Sequence, residues 1–386
     1  MKKISTDHHF LPGLNGLRAI AALSVVIQHT GMFLGLFGYV HASRFNHLLL
    51  SGHAAVLLFF VLSGFLITYL LLQEQAATDT INLKKFYLGR FLRIAPLQLL
   101  IVGLSFLMFL GFYGVISFYH EPTHPLSTFL LLIFMPNVAG LFDGVVNGAG
   151  HLWSLGAENE FYLVWPLLLL GFRKWSVRMM LMVVIFKVTL DLLLAFVVAD
   201  MTSNYWIGKL AQFLGVFPIE AMAIGGIGAW LIFNRKANIL NVIFHPIFQL
   251  VTYLSLVGII YSNSVGMPHY VDTYFVPLVF FSLILNVSCN PRSILKLENS
   301  LFDYLGKISY GIYMFHPIVV FLIIWYLRQE ALKNSWFVVL VYALTVTITI
   351  LLSELSFKYF ESPIMRLKRS KTERSTPTIP SLVNEF

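Results

Sequence analysis

The chain has 386 residues, 58% of them hydrophobic and only 11% charged, with a mean hydropathy of +0.79. A soluble domain carries roughly twice that charged fraction, so composition excludes a water-soluble core protein and points to an all-α membrane protein with many spans. The net charge of +8 falls mostly between apolar runs and reads as topology, not nucleic-acid binding, while the single cysteine, Cys289, excludes an internal disulfide and a cysteine-based metal cluster.

Ten apolar segments are predicted as helical spans, at about 12–33, 52–73, 94–117, 151–172, 178–199, 209–233, 240–262, 271–289, 301–326 and 336–360. The first follows Lys2 and Lys3 but contains Arg18, ends at His29 and lacks a small-x-small cleavage site, so it reads as a retained span. Alternate connections collect the basic residues: Lys84, Lys85, Arg90 and Arg93; Arg173, Lys174 and Arg178; Arg235 and Lys236; Arg292 and Lys296. The opposite connections hold only Arg44, Arg328 and Lys333. An even span count and this asymmetry together predict that both termini are cytoplasmic. Segment 126–142 is apolar but broken by Pro136, Asn137 and Gly140, and it is predicted as an interfacial or re-entrant piece on the outer side. The predicted organisation is one membrane domain over 1–365 and a disordered basic cytoplasmic tail over 366–386.

In the first span Arg18 and His29 are eleven residues apart, about 20° from eclipsed and roughly 16 Å along the axis. Ionisable residues inside a span usually face protein or an aqueous cavity. The pair on one face therefore favours a polar passage over two unrelated helix-end residues. In the second span, Ser63-Gly64 most simply lets helices approach closely. Arg90 and Arg93 are i,i+3 neighbours whose guanidiniums suit phosphate, although positive-inside charge alone would account for them. The fourth span opens with His151, Ser154, Glu158, Tyr162 and Trp165 on one face, and Glu160 points elsewhere. The alternative there is an interfacial carboxylate with an aromatic belt. In the ninth, Ser309, Tyr313 and His316 share a face and Pro317 can kink the helix. No P-loop, G-x-S-x-G elbow or H-E-x-x-H motif occurs, and no metal site is expected.

These pieces, in this order, resemble the bacterial acyltransferase-3 family of integral membrane acyltransferases, which includes O-antigen and exopolysaccharide O-acetylases. The matching residues are Arg18 with His29, Phe59 to Ile67, Arg90 with Arg93, and His151-Leu152-Trp153-Ser154-Leu155 followed by Glu158, Phe161 and Tyr162. Ser309 to Tyr313 with His316-Pro317, and Phe360-Glu361-Ser362-Pro363, complete the match over about residues 10–365. The family's usual Glu-Glu-Gln is Glu158-Asn159-Glu160 here, so an acidic role carries over only to Glu158. Some relatives carry an appended extracytoplasmic esterase-like domain, and none is expected within these 386 residues.

The resemblance implies about ten helices in the bacterial cytoplasmic membrane and no bound cofactor. It implies acyl-CoA, by default acetyl-CoA, as cytoplasmic co-substrate, and a carbohydrate or other hydroxyl as acceptor. Arg90 and Arg93, with Arg18, would hold the nucleotide phosphates. His29 would be general base and Glu158 would orient it or stabilise its cation. His151, Ser154, Tyr162, Tyr313 and His316 would line the passage. Direct transfer and an acyl-histidine intermediate are both open. Two rival readings stand beside this one. A transporter or flippase would use the same ionisable groups but would more often show repeated halves, and none is evident. A membrane scaffold would not need the Arg18–His29 face.

Overall fold

The computed structural model describes residues 11–39, 49–112, 125–141, 148–200, 205–262, 271–327 and 335–366. Among them every regular element is helical. The helices are α1 (Leu14–Leu36), α2 (Gly52–Thr78), α3 (Leu83–Phe112), α4 (Pro125–Leu132), α5 (Pro136–Ala139), α6 (Trp153–Gly171), α7 (Ser176–Asp200) and α8 (Tyr205–Gly215). They continue with α9 (Ile219–Phe233), α10 (Ala237–Ile243), α11 (Pro246–Ser262), α12 (Val276–Cys289), α13 (Ser300–Lys307), α14 (Ser309–Leu327) and α15 (Ser335–Ser356). Two π-helical turns, Val271–Phe275 and Phe357–Glu361, lead into α12 and follow α15. Eight segments among the described residues are long and apolar enough to cross a bilayer, and nine if α10 and α11, bent by 54°, form one span.

The fourth predicted span, 151–172, forms α6 but is not among those segments; it carries Glu158, Asn159 and Glu160. Two predicted boundaries need correction. The span predicted at 94–117 begins at Leu83, because Asn82 Oδ1 accepts the Lys85 backbone N–H at 3.0 Å and the helix runs on through Pro96. Arg90 and Arg93 therefore lie inside α3, not in a connection. The span predicted at 301–326 is broken at Ile308 into α13 and α14; Asn299 caps α13, which at eight residues is too short to cross, and Ser309–Leu327 is the candidate span. The span predicted at 209–233 stands as one apolar segment, Ile207–Phe233, with a short break before α9 at Pro218, which has no N–H to continue a helix. Segment 126–142 folds as α4 and α5 around Phe134, whose φ is 67°, and neither helix is long enough to cross. Arg44, Arg328, Lys333 and the tail beyond Arg366 lie outside the described residues.

Two close crossings position the site. Gly13 opens α1 with φ of 74°, and a side chain there would collide with Val287 of α12. On α2 and α9 the small residues are reciprocal. A Cβ on Gly64 would land on the Met222 backbone, and one on Gly225 would land on the Val61 carbonyl. The crossing buries Val61, Phe65, Ala221, Met222 and Ala229, and it fixes α2 so that the neighbouring Ser63 faces α6. Because the obstacle at Gly64 is backbone, Gly64→Val should cost at least about 3 kcal/mol, the upper end for overpacking. The check is the thermal unfolding midpoint of the detergent-solubilised variant.

The basic connections are clamped to neighbouring helix ends. Arg173 donates to the Asp79 carboxylate and, at 2.8 Å, to its carbonyl, joining the start of α7 to the end of α2. Gln249 of α11 takes the Ile294 N–H at 3.1 Å and donates to the Phe244 carbonyl at 2.9 Å. Asn15 of α1 donates to Asp303 of α13 at 3.5 Å.

Candidate active site

Helices α1, α2, α3, α6 and α14 enclose a cavity of about 100 Å³. Arg18 of α1 and Arg90 and Arg93 of α3 line it, together with Ser63 of α2, Glu158 of α6 and Ser309 of α14. Arg18 is about 6 Å from the start of α1, and Arg90 and Arg93 are roughly 10 and 15 Å from the start of α3. The three cations therefore reach the cavity from inside their helices. Arg90 is held by two aromatic faces, with its guanidinium carbon 5.3 Å from the Tyr162 ring centre and 5.7 Å from that of Phe86.

One carboxylate answers these three guanidiniums among the lining residues. Glu158 accepts a hydrogen bond from Ser63, and the Tyr162 hydroxyl donates to Ser63 at 3.4 Å. Glu361, in the π-helical turn after α15, is a further buried carboxylate; it accepts from Ser356 at 2.9 Å and interacts electrostatically with Arg93. Glu160, two residues beyond Glu158, faces away and accepts from Asn137 of α5 at 3.0 Å. That bond and the close approach of Gly156 to Asn137 dock the short α5 on α6.

Tyr313 and Ser154 form one wall of the cavity. The Tyr313 hydroxyl donates to the His151 carbonyl at 2.8 Å and lies 2.7 Å from the Ser154 hydroxyl. Beside that wall three histidines meet. His29 Nδ1 is 2.7 Å from His316 Nε2, with the rings stacked at 5.0 Å and inclined by 24°. The His151 ring stands edge-on to His316 at 5.4 Å and lies 5.5 Å from the Tyr313 ring. His316 is completely buried; His29 is half-buried. The first helix thus presents Arg18 to the cavity and, about 16 Å along the same face, His29 to the histidine group.

All ten residues singled out in the sequence fall in one of these two adjoining groups. The arginines, Glu158, Ser154, Tyr162 and Tyr313 line the cavity, and His29, His151 and His316 form the cluster beside it. The hydrogen-bonding partner expected of Glu158 at His29 is instead His316; Glu158 bonds to Ser63 in the arginine-lined cavity. Sequence reasoning read Ser63 only as a packing residue. A hydroxyl in an apolar span, one helix face away from the close-packed Gly64, is the signal that could have found it. A second ionic group, outside the cavity, also escaped it. Lys187 contacts Asp191 at 2.5 Å and Glu220 at 3.8 Å, and Tyr274 donates to Asp191 at 2.9 Å. Mutual neutralisation is what lets such groups sit within spans. Among the described residues no three His, Cys, Asp or Glu side chains, the histidine cluster included, are placed so that they could hold a metal ion.

Residues 11–354 match the family described as an acyltransferase domain. The peptidoglycan O-acetyltransferase OatA of Listeria monocytogenes is 26% identical over 378 residues, an alignment that covers 92% of this chain and 56% of that protein. The O-acetyltransferase OatA of Staphylococcus aureus (strain MRSA252) is 26% identical over 393 residues, covering 98% of this chain and 60% of the relative. A protein of Staphylococcus aureus (strain COL), provisionally named as an O-acetyltransferase, is 25% identical over 383 residues, covering 92% and 58%. The chain therefore spans under two thirds of the length of these curated relatives. No solved structure matches it.

Proposed function

The chain belongs to this family of membrane acyltransferases, and from that premise we propose that it is an O-acetyltransferase that takes an acetyl group from cytoplasmic acetyl-CoA and esterifies a hydroxyl of a cell-surface carbohydrate or lipid-linked glycan. Its setting in this reading is the bacterial cytoplasmic membrane, with both termini cytoplasmic. The observation that carries the reading is the excess of guanidinium over carboxylate in one cavity whose wall adjoins a histidine cluster. Three cations against one lining carboxylate favour an anion, and guanidinium is the group best matched to phosphate oxygens. A pantetheine arm spans about 15–20 Å, which suits the roughly 16 Å between Arg18 and His29 on one helix.

In the reaction, His29 acts as general base. The acceptor oxygen forms a bond to the acyl carbonyl carbon as its proton passes to the imidazole. The carbon–sulfur bond then breaks, and the proton is delivered to the departing thiolate, so that ester and free CoA leave and His29 is neutral again. Arg18, Arg90 and Arg93 hold the donor, and Glu158, anchored by Ser63, sets the spacing of the guanidiniums around it. His151, Ser154, Tyr162 and Tyr313 shape the passage.

Mass spectrometry of surface glycans from cells with and without the gene tests the reading. Loss of acetyl esters from one hydroxyl position on deletion, and their return on complementation, is the expected result. An unchanged ester profile would contradict it.

A further inference from the structure

Pro317 sits in the middle of α14 and has no backbone N–H. The carbonyl that this N–H would have satisfied, four residues back, is that of Tyr313. Its partner is a side chain instead: His316 Nδ1 lies 2.7 Å from the Tyr313 oxygen. A carbonyl oxygen only accepts, so His316 carries its proton on Nδ1. Neutral His316 then presents an unprotonated Nε2, and the atom 2.7 Å away, His29 Nδ1, has to be the donor. The proton of neutral His29 is thereby fixed on Nδ1, which leaves Nε2 with the free lone pair. That nitrogen faces the start of α2, 3.8 Å from the position a Cβ on Gly52 would take.

We propose that His316 is a positioning residue: it holds His29 in the one tautomer and ring orientation in which Nε2 can take the proton of the acceptor hydroxyl, with the Tyr313 carbonyl freed by Pro317 as its own anchor. The proposal rests on His29 being the general base. His316 touches neither donor nor acceptor in this arrangement. It is completely buried, and its ring is stacked on that of His29, so both the direction and the plane of the base are set by it. When His29 becomes a cation, its Nδ1–H···Nε2 bond to His316 becomes charge-assisted and strengthens. The same logic orders the base in hydrolytic triads, where the orienting group is a carboxylate. Here it is a neutral imidazole, which is far less costly to bury among apolar residues than a carboxylate.

The test compares His316→Leu, which removes the acceptor, with His316→Gln, whose Oε1 can accept from His29 Nδ1 while its amide donates. Both are assayed in proteoliposomes with acetyl-CoA and glycan acceptor, with unfolding midpoints measured alongside. Expected is a fall in kcat of about 100-fold for His316→Leu with KM for acetyl-CoA unchanged, and recovery to within about 10-fold of wild type for His316→Gln. A kcat within threefold of wild type in His316→Leu would overturn the proposal. So would equal losses in the two variants, which would make His316 a packing residue. His29→Ala is run in parallel: if it retains activity, the general-base reading has failed; if it is inactive while His316→Leu is normal, only the positioning role has.

Discussion

His29→Ala should abolish acyl transfer while the protein still accumulates in the membrane. General-base catalysis contributes about 10² to 10⁴ in rate, so the variant should lose at least 100-fold in kcat. The side chain is half-buried and its Nδ1 is hydrogen-bonded to His316. Truncation removes that bond and part of a ring stack, a loss of order 1 kcal/mol that α1 can absorb through its packing of Leu17, Ala21, Val25 and Leu34. Activity and stability should therefore separate. Affinity for acetyl-CoA should stay within a few-fold of wild type, because the arginine-lined cavity and the histidine cluster are distinct groups of residues. The measurements are ester content of surface glycans, membrane abundance and unfolding midpoint, and normal ester content in the variant would remove His29 from the mechanism.

Replacing Arg90 or Arg93 by Gln should act on the other half of the reaction. A hydrogen bond to a charged group is worth about 1.5–3 kcal/mol, so each replacement should weaken acetyl-CoA binding by roughly 10- to 100-fold. Calorimetric titration of the solubilised protein with CoA reads this directly. For Arg90 the guanidinium also packs against Phe86 and Tyr162, so Arg90→Lys should not restore wild-type affinity even though it restores charge. The double replacement should show a weaker dependence of affinity on salt than wild type, because fewer cations face the phosphates. Unchanged affinity in both single variants would return these arginines to a purely topological role.

The helical membrane fold is readable from composition and from the apolar runs, because lipid leaves a helix as the only simple way to satisfy each backbone group within one segment. The breaks inside those runs are less readable. Pro218 and Pro246 stand at the starts of α9 and α11, whereas Pro96, Pro166 and Pro317 lie within α3, α6 and α14. A proline's position in the sequence does not say whether neighbouring side chains will satisfy the carbonyl it orphans. At Pro317 one does, through His316.

For the site, the eleven-residue spacing of Arg18 and His29 and the shared face of Ser154, Glu158 and Tyr162 are properties of single helices, and both carry through to the cavity and the cluster beside it, whereas His151 sits in the 3-10 turn before α6 and joins the cluster. What periodicity cannot supply is the pairing between helices. That Ser63 answers Glu158, that Asn137 answers Glu160 and that His316 answers His29 depends on how α2, α5 and α14 pack around α1 and α6. Each pair joins residues from 23 to 287 positions apart. The hydrogen bond expected between Glu158 and His29 is not formed; each has another partner.

Transfer of label from acetyl-CoA bearing a radioactive acetyl group, added to inverted membrane vesicles that expose the cytoplasmic face, tests the central claim most directly. Label is expected in alkali-labile ester on glycan with the wild-type chain, none above background with His29→Ala, and suppression by excess unlabelled CoA. Label that appears equally with wild type and His29→Ala, or none with wild type when the glycan acceptor is present, would contradict it.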